Sequence, residues 1–493
     1  MGGNLIHYPE DVGTPTASLL LVKILLNSVI STPGAKFATA DIANFYLNTP
    51  LKRPEYAKVR LTDIPEEVIR EYKLHKIATE DGWIYMRVVK GMYGLPQSGA
   101  NSHDELEERL NKEDYYQSKI VPGLWRHKTR PTVFTLIVDN FGIKFLSKND
   151  LDHLIGVLGK YYNEKVNMKG QEYLKIELDW DYDNGQVHLS MEPYLKKALA
   201  QFGIQKPKRL QNSPHPHTPP KYGTKQQFVE HDTSEAATKA EQTYLQKVTG
   251  KFNWYARAVD PTMLTPLSAL ASMQSKPTKE TMQRVKQFLE YAASQEPAVL
   301  TYRKSDMKLA IHSDASYLNE TKARSRAGGH FFLSENVETP PNNGAIHDLA
   351  EIIKTVMSSA SESELGALYL NARKGIEIQN ILNEMGHPQP ATRIQTDNST
   401  AEGIINSRVQ PKQIKAMDMC FHWLRDRAAA QQQFKLFWRP GSTNRGDYYT
   451  KHHPPSHHME MRPEILTSYK TLMQLRSRQN RGLQGCVTVT ARQ

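Results

Sequence analysis

The sequence predicts a multidomain protein of the α+β and α/β classes, and three observations carry that prediction. The chain has 493 residues, which at roughly 100–200 residues per domain leaves room for two to four domains. Up to about residue 204, stretches of helical and strand spacing alternate irregularly. Beyond Leu300 the order becomes strand, strand, helix, strand, helix, strand, a mixed α/β pattern that makes a second domain.

Taken in order, Thr16–Ile30 carries Leu19, Leu20, Ile24, Leu25, Val29 and Ile30 at near-helical spacing and reads as an amphipathic helix. Lys36–Ile42 reads as a short strand, Tyr56–Leu61 and Trp83–Val89 as further strands, and His103–Leu110 as a helix. Thr132–Val138 is apolar and β-branched, and the pattern resumes at Ile143–Leu146. Asp139–Gly142 between them supplies turn residues, so a β-hairpin with an acid at its turn is expected. A second hairpin is expected from Tyr173 to Met191, turning at Asp183-Asn184-Gly185, before a helix Pro193–Phe202 stopped by Gly203. Gln205–Thr233 is polar and carries Pro207, Pro214, Pro216, Pro219 and Pro220, the composition of a linker. Helices are expected at Glu235–Ala258 and Thr278–Ala293. The second domain then runs through strands Lys308–His312 and Gly328–Leu333, helix Glu364–Glu384, strand Arg393–Gln395, a helix, and strand Phe434–Trp438. The last thirty or so residues are basic and polar and read as a loose tail.

Composition narrows the function classes. Lys and Arg number 63 against 52 Asp and Glu, a formal charge of +11, and the pI is about 9.2. That balance permits nucleic-acid binding without establishing it. Mean hydropathy is −0.59 and the most apolar stretch, Leu19–Leu26, is interrupted by Lys23, so a membrane-spanning segment is not expected. No secretory leader is expected either. Two cysteines, Cys420 and Cys486, exclude a disulfide framework and a cysteine-rich zinc knuckle, so a metal would rest mainly on oxygen.

Two carboxylate constellations suit such a metal. Asp41 ends a strand, and Asp139 sits at a hairpin turn of the same sheet, a geometry able to hold Mg²⁺. Taken alone, spacing favours the plainer reading of the pair, a strand end and an ordinary Asp-Asn turn. The second set is Asp314 after its strand, Glu364 at a helix start, Asp397 after another strand, and Asp447 beyond Trp438-Arg-Pro-Gly. Four such acids held together would raise one another's pKa unless cations bind between them, and composition alone leaves them as scattered surface acids.

The local strings go further. Thr39-Ala-Asp-Ile-Ala-Asn-Phe-Tyr-Leu-Asn, Met92-Tyr-Gly-Leu-Pro-Gln-Ser-Gly and Val138-Asp-Asn-Phe-Gly-Ile-Lys stand in the order of reverse transcriptase palm motifs. His312-Ser-Asp-Ala-Ser, Ser361-Glu-Ser-Glu-Leu-Gly-Ala-Leu, Thr396-Asp-Asn-Ser-Thr-Ala and Arg439-Pro-Gly through Asp447-Tyr-Tyr-Thr-Lys are similar to a ribonuclease H. Over nearly its whole length the chain resembles the reverse transcriptase–ribonuclease H region of copia-type LTR retrotransposon Pol polyproteins.

The resemblance implies a right-hand polymerase, with palm, thumb and partial fingers, followed by a ribonuclease H-like domain. Its divisions would be partial fingers and palm at 1–150, the end of the palm and thumb at 151–204, and a Pro-rich linker at 205–234. Connection-like helices would follow at 235–303, a ribonuclease H-like domain at 304–455, and a basic tail at 456–493. It also implies two Mg²⁺ or Mn²⁺ ions per active site. Asp41 and Asp139 would be the polymerase ligands, with the Ile42 carbonyl, and Asp314, Glu364, Asp397 and Asp447 the ribonuclease H ligands. Glu362 competes with Glu364, which fits the family's helix better. Tyr46 would lie under the incoming sugar and Gln97 would touch the nucleotide; the alternative for Tyr46 is a core tyrosine. Implied partners are an RNA or DNA template–primer, an RNA–DNA hybrid and dNTPs, with self-association or other Gag and Pol products beyond these. The implied setting is a cytoplasmic virus-like particle, with the nucleus as a second address.

Four departures qualify this. Asn140 stands where the family has a second aspartate; an amide offers one oxygen and no charge, so weak polymerisation is expected. No histidine lies in Gly441–Gly446, where many ribonucleases H keep one. The amino terminus enters partway through the fingers, and no protease or integrase module is visible, so the chain reads as the carboxy-terminal part of a Pol polyprotein. Lys52, Arg53, Lys58 and Arg60 read as basic surface, and Lys196, Lys197, Lys206, Lys208 and Arg209 equally as phosphate partners or a solvated face. His452, His453, His457 and His458 could be a metal cluster, but Pro-Pro spacing and the absence of thiols favour a solvated loop. The rival functions are a ribonuclease H carried by a dead polymerase, and a nucleic-acid-binding relic silent in both domains.

Overall fold

The computed structural model describes residues 6–217, 219, 232–406 and 418–487. It divides into two compact units: residues up to Ser18 with Ala35–Lys169, and Leu19–Gly34 with the chain from Gly170 onward. Helix α1 (Leu19–Ser31) therefore belongs to the second unit. Expected to be amphipathic, it is instead buried all round from Leu20 to Ile30, because a helix apolar on nearly every side is enclosed by its neighbours. Its Lys23 Nζ donates to the Arg257 carbonyl at 2.6 Å, and burial pushes that amine down to about 8.

The first unit follows as β1 (Lys36–Ile42), β2 (Pro50–Arg60), α2 (Glu66–Glu71), β3 (Trp83–Lys90), α3 (Ser98–Asn111), β4 (Tyr115–Gln117) and β5 (Leu124–His127). β6 (Val133–Ile137), β7 (Asn140–Phe145), α4 (Lys148–Gly159) and β8 (Glu164–Asn167) complete it. Six strands form one sheet in the order β4-β5-β6-β7-β1-β8, while β2 and β3 make a separate antiparallel ribbon. Ala38, Ala40, Phe134, Phe141 and Ile143 of the sheet pack with Leu106 and Leu110 of α3 and with Leu151 and Leu154 of α4. Trp125 stacks on Phe134 within this core. α4 starts in a capping box, Ser147 with Asp150.

Two expectations change here. The β6–β7 turn is the two residues Val138-Asp139, since Ile137 pairs with Asn140. Asn140, Phe141 and Gly142, expected in the turn, are strand. Good turn residues lose to register once Phe141 and Ile143 must reach the core. The boundary expected at 150 falls inside α4, and the unit runs on to Lys169 because β8 adds to the sheet beside β1.

The second unit continues with β9 (Glu172–Tyr173), β10 (Ile176–Asp181), β11 (Gln186–Ser190), α5 (Glu192–Gln201), α6 (Lys239–Ala258), α7 (Leu264–Ser272), α8 (Lys279–Ser294) and β12 (Val299–Arg303). Then come β13 (Lys308–Glu320), β14 (Arg324–Ser334), β15 (Ala345–Ile352), α9 (Ala360–Glu384), β16 (Thr392–Thr396), α10 (Ser399–Ile405), α11 (Asp418–Arg425), β17 (Phe434–Trp438), α12 (Pro455–Ile465) and α13 (Tyr469–Val487). One sheet has the order β12-β11-β10-β9, the other β15-β14-β13-β16-β17. In the latter, β13, β14 and β15 are antiparallel, whereas β16 runs parallel to both β13 and β17. Parallel neighbours need long crossovers, and α9 and α10–α11 lie on them. α9 buries Leu365, Leu368, Ile378 and Leu382. Gly375 lets it approach the sheet, since a Cβ there would stand 3.0 Å from Ile311 and 3.2 Å from Phe434.

The stretch expected as a loose tail is helical: α12 and α13 carry it through residue 487. Leu472 is fully buried, and Arg476 forks onto Asp179 of β10 at 2.9 and 2.8 Å. Basic composition hid a helix with one buried leucine and one arginine held by specific acids. The Pro-rich stretch is also less free than its composition implies. Over its described residues, the Gln211 N–H donates to Ser294 Oγ of α8, and Ser213 and His215 are buried. Pro220 and positions 221–231 lie outside the described residues. Among the described residues no helix is long and apolar enough to cross a membrane.

Candidate active sites

In the first unit, β1 ends by delivering Asp41 between Asn140 on β7 and Lys165 on β8. The Ile42 N–H donates to the Asp139 carbonyl at 3.1 Å, tying the strand end to the hairpin turn. Val138 holds that turn at φ +59, a region a β-branched residue rarely enters. Backbone strain therefore sits beside the carboxylate. Asn140 Nδ2 donates to Asp139 Oδ1 at 2.7 Å. Burial, and then the Asp41 charge, push the Asp139 carboxyl up from its ordinary range, against hydrogen bonds from Asn140 and Tyr93. Two half-buried acids side by side, with Asp139 raised by burial and by its neighbour, suit a hard divalent cation.

Tyr46 and Tyr93 meet here with ring centroids 4.7 Å apart. Burial raises the Tyr46 phenol, followed by Tyr93 and Asp139. Gly91 makes this possible, because a Cβ there would stand 2.6 Å from the Tyr46 carbonyl. Tyr93 is the residue that sequence reasoning missed: it lay inside a quoted motif, but nothing local said that it would bond Asp139. Gln97 is buried and spends its amide nitrogen on Glu55 at 2.9 Å, while its own oxygen has no hydrogen-bond partner among the described residues.

In the second unit, Asp314 lies on central strand β13 and is paired with Gly328 of β14. Glu364 lies one turn inside α9, not at its start, and Asp397 follows β16. Donor oxygens of these three lie within 4.8 Å of one another. Asp314 and Glu364 are buried, Asp397 less so. Burial first, then Glu364, Asp447 and Asp397, push Asp314 well above the carboxylate range. Burial, then Asp397, push Glu364 up to about 8. Glu364 Oε2 is buried with no hydrogen-bond partner among the described residues. Such an orphaned oxygen among acids is the donor set a hard cation completes. Glu362 turns away: its carboxylate accepts from the Ser358 N–H at 2.9 Å, beside the helix start.

Asp447 stands apart from that trio. It is near enough to raise Asp314, but its Oδ1 accepts from Lys451 Nζ at 2.6 Å, and its Oδ2 lies 4.0 Å from His453 Nε2. The expected gathering of four acids is thus three plus one. The loop carrying Asp447 is stitched to β13 by Asn444 Nδ2 donating to the Ser313 carbonyl and by the Arg445 N–H donating to His312 Nδ1. Gly328 leaves it room, for a Cβ would come within 2.2 Å of the Gly446 carbonyl.

The four clustered histidines do not form a solvated loop. His453 and His458 are buried, and burial pushes them down to about 4 and about 3. Pro454 caps α12 and Pro455 begins it. Although no histidine lies in Gly441–Gly446, His453 reaches Asp447 from beyond it.

No protein-family model matches the chain. It is similar to the Transposon Ty1-ER2 Gag-Pol polyprotein of Saccharomyces cerevisiae, 22% identical over 340 residues, covering 66% of this chain and 19% of that one. It is likewise similar to the Truncated transposon Ty1-A Gag-Pol polyprotein of the same organism, 23% identical over 340 residues, 66% of this chain and 27% of that one. The match thus spans about a fifth to a quarter of these relatives' length. Both are copia-type polyproteins, as the motifs led one to expect. Among solved structures, a foamy viral protease-reverse transcriptase in complex with an RNA/DNA hybrid is 12% identical with a TM-score of 0.46, covering 86% of this chain and 46% of that one. A compost-derived ribonuclease H1 is 12% identical with a TM-score of 0.23, covering 29% and 93%.

Proposed function

We propose that this chain is the RNA-directed DNA polymerase and ribonuclease H of a copia-type retrotransposon, with polymerisation weakened by Asn140. The observation that carries the reading is the trio of buried Asp314 and Glu364 with the more open Asp397, and its orphaned Glu364 oxygen, a site with little purpose unless a cation binds. The Ty1 relatives and the Asp41–Asp139 pair support the polymerase half. In this reading the six-stranded sheet is the palm, the β2–β3 ribbon belongs to partial fingers, a thumb lies within 151–204, and α6–α8 make the connection.

Asp41, Asp139 and the Ile42 carbonyl would hold one pair of Mg²⁺ or Mn²⁺ ions; Asp314, Glu364 and Asp397, joined by Asp447, would hold the other. Bound there, the ions supply positive charge to the attacking and leaving oxygens of phosphoryl transfer. The side chains orient the reactants. At the first site a primer 3′-hydroxyl attacks the α-phosphorus of a dNTP and pyrophosphate leaves, with Tyr46 under the sugar and Gln97 beside the nucleotide. At the second, water attacks a phosphodiester of the RNA strand in a hybrid and a ribose oxygen leaves. Lys197, Lys206, Lys208 and Arg209 are exposed and available to phosphates, while Lys196 pairs with Glu192 at 2.6 Å.

A second reading, ribonuclease H beside a silent polymerase, is favoured by the Asn140 amide occupying Asp139 Oδ1. Primer extension by wild type and Asn140→Asp decides between them: the substitution is expected to raise the rate by on the order of 100-fold. Equal, vigorous synthesis by both would remove the weakening, and no synthesis by either would favour the second reading. Mg²⁺-dependent cutting of a labelled RNA–DNA hybrid, lost in Asp397→Asn, tests the other half.

A further inference from the structure

Asp447, His453 and His457 offer one ligand atom each, all within 4.8 Å of one another. Of the neighbouring histidines, His458 is excluded because both ring nitrogens are occupied, by the Tyr448 and Tyr291 hydroxyls at 2.6 Å each. His452 is turned to the other side, its ring 4.1 Å from that of His215. His453 is held rigidly: it stacks on Tyr448 with planes 8° apart, and its ring lies 4.5 Å from that of His457. Asp447 divides its two oxygens between neighbours. Lys451 takes Oδ1, and Oδ2 is left facing His453.

Two imidazoles and a carboxylate are not the donor set of Mg²⁺, which prefers oxygen and retains water. They are the donors of a borderline transition cation, bound by three protein ligands with a fourth position open to water. We propose that Asp447, His453 and His457 form a site for a Zn²⁺-class cation, distinct from the oxygen trio of Asp314, Glu364 and Asp397. The site goes beyond the polymerase and nuclease reading and shares one ligand, Asp447, with the second cation site of that reading. Its ligands come from the segment just after β17 and from the first turn of α12. A bound ion would join the Asp447 turn to that helix, adding a cross-link where the chain otherwise relies on hydrogen bonds.

The test is titration of the full-length protein with Zn²⁺ in saturating Mg²⁺, with circular dichroism to verify folding. Wild type should bind one Zn²⁺ that Mg²⁺ does not displace. His453→Gln and the half-buried His457→Gln should each bind at least about tenfold more weakly, while Glu364→Gln and His452→Gln should bind like wild type. X-ray absorption on Zn²⁺-loaded wild type should report two imidazoles, a readout that needs no variant to fold. The proposal is overturned by an absence of Mg²⁺-resistant binding, by undiminished binding in both histidine variants, by equal loss in His452→Gln, or by a spectrum with oxygen ligands alone.

Discussion

Glu364 and Asp314 are where one proton or one cation changes the most. A carboxyl whose pKa rises on folding keeps a proton that the unfolded chain releases. Its stabilising contribution is therefore fully present below the ordinary 4.5 of a glutamate and is lost as pH rises through about 8 for Glu364. In EDTA, the melting temperature should fall across that window, and Mg²⁺ should restore it at the alkaline end while doing little at the acid end. Calorimetric scans with and without Mg²⁺ at both ends check this, and a melting temperature indifferent to both variables would contradict a cation-completed trio. The strings around 41, 139, 314, 364 and 397 singled out these acids as candidates. That Asp447 would turn to Lys451 and His453 was not, because a side chain's partner depends on which loop lies beside it.

The element that sets the second site is the β13–β14 pair against the loop of Asp447. Gly328 faces the Gly446 carbonyl so closely that a methyl group would strike backbone, 2.2 Å away, and the Thr450 side chain at 2.6 Å. Backbone cannot yield as a side-chain tip does. Gly328→Ala should therefore destabilise the protein by about 1–3 kcal/mol, read as a lower urea midpoint at unchanged slope. It should also slow hybrid cleavage more than primer extension, since it displaces the Asp447 loop alone. At this scale the strands Lys36–Ile42 and Phe434–Trp438 have the bounds their alternation implied. β15 was missed: its Ala345–Ile352 run mixes His347, Asp348 and Glu351 among apolar residues, and only pairing with β14 makes it a strand. The terminal helices were missed for the complementary reason, a polar composition that conceals one buried stripe around Leu472.

Across the whole molecule, the charge of +11 is the quantity that bears on nucleic acid. If hybrid binding rests on phosphate contacts, log affinity should fall linearly with log salt, by about 0.9 per phosphate neutralised. Fluorescence anisotropy with a labelled hybrid measures that slope, and a flat response would remove phosphate contacts from the account. The two carboxylate sites lie in separate compact units, so Asp41→Asn should abolish extension while sparing cleavage, and Asp397→Asn should do the reverse. Loss of both activities in either variant would mean that the units do not act separately.

By itself the sequence determined the α/β order of the second domain apart from β15, the likeness to copia-type polyproteins, and which acids were candidates. Those properties are written in local spacing and in strings of neighbouring residues, which a chain carries before it folds. Tertiary structure alone decided that the hairpin turns on Val138-Asp139, that β8 carries the first unit to Lys169, and that the acids of the second site divide three and one. It also turned a run of histidines inward beside Asp447. Each of these depends on strand register or on packing between segments far apart in the chain, where burial and hydrogen bonding override the preferences of any single stretch.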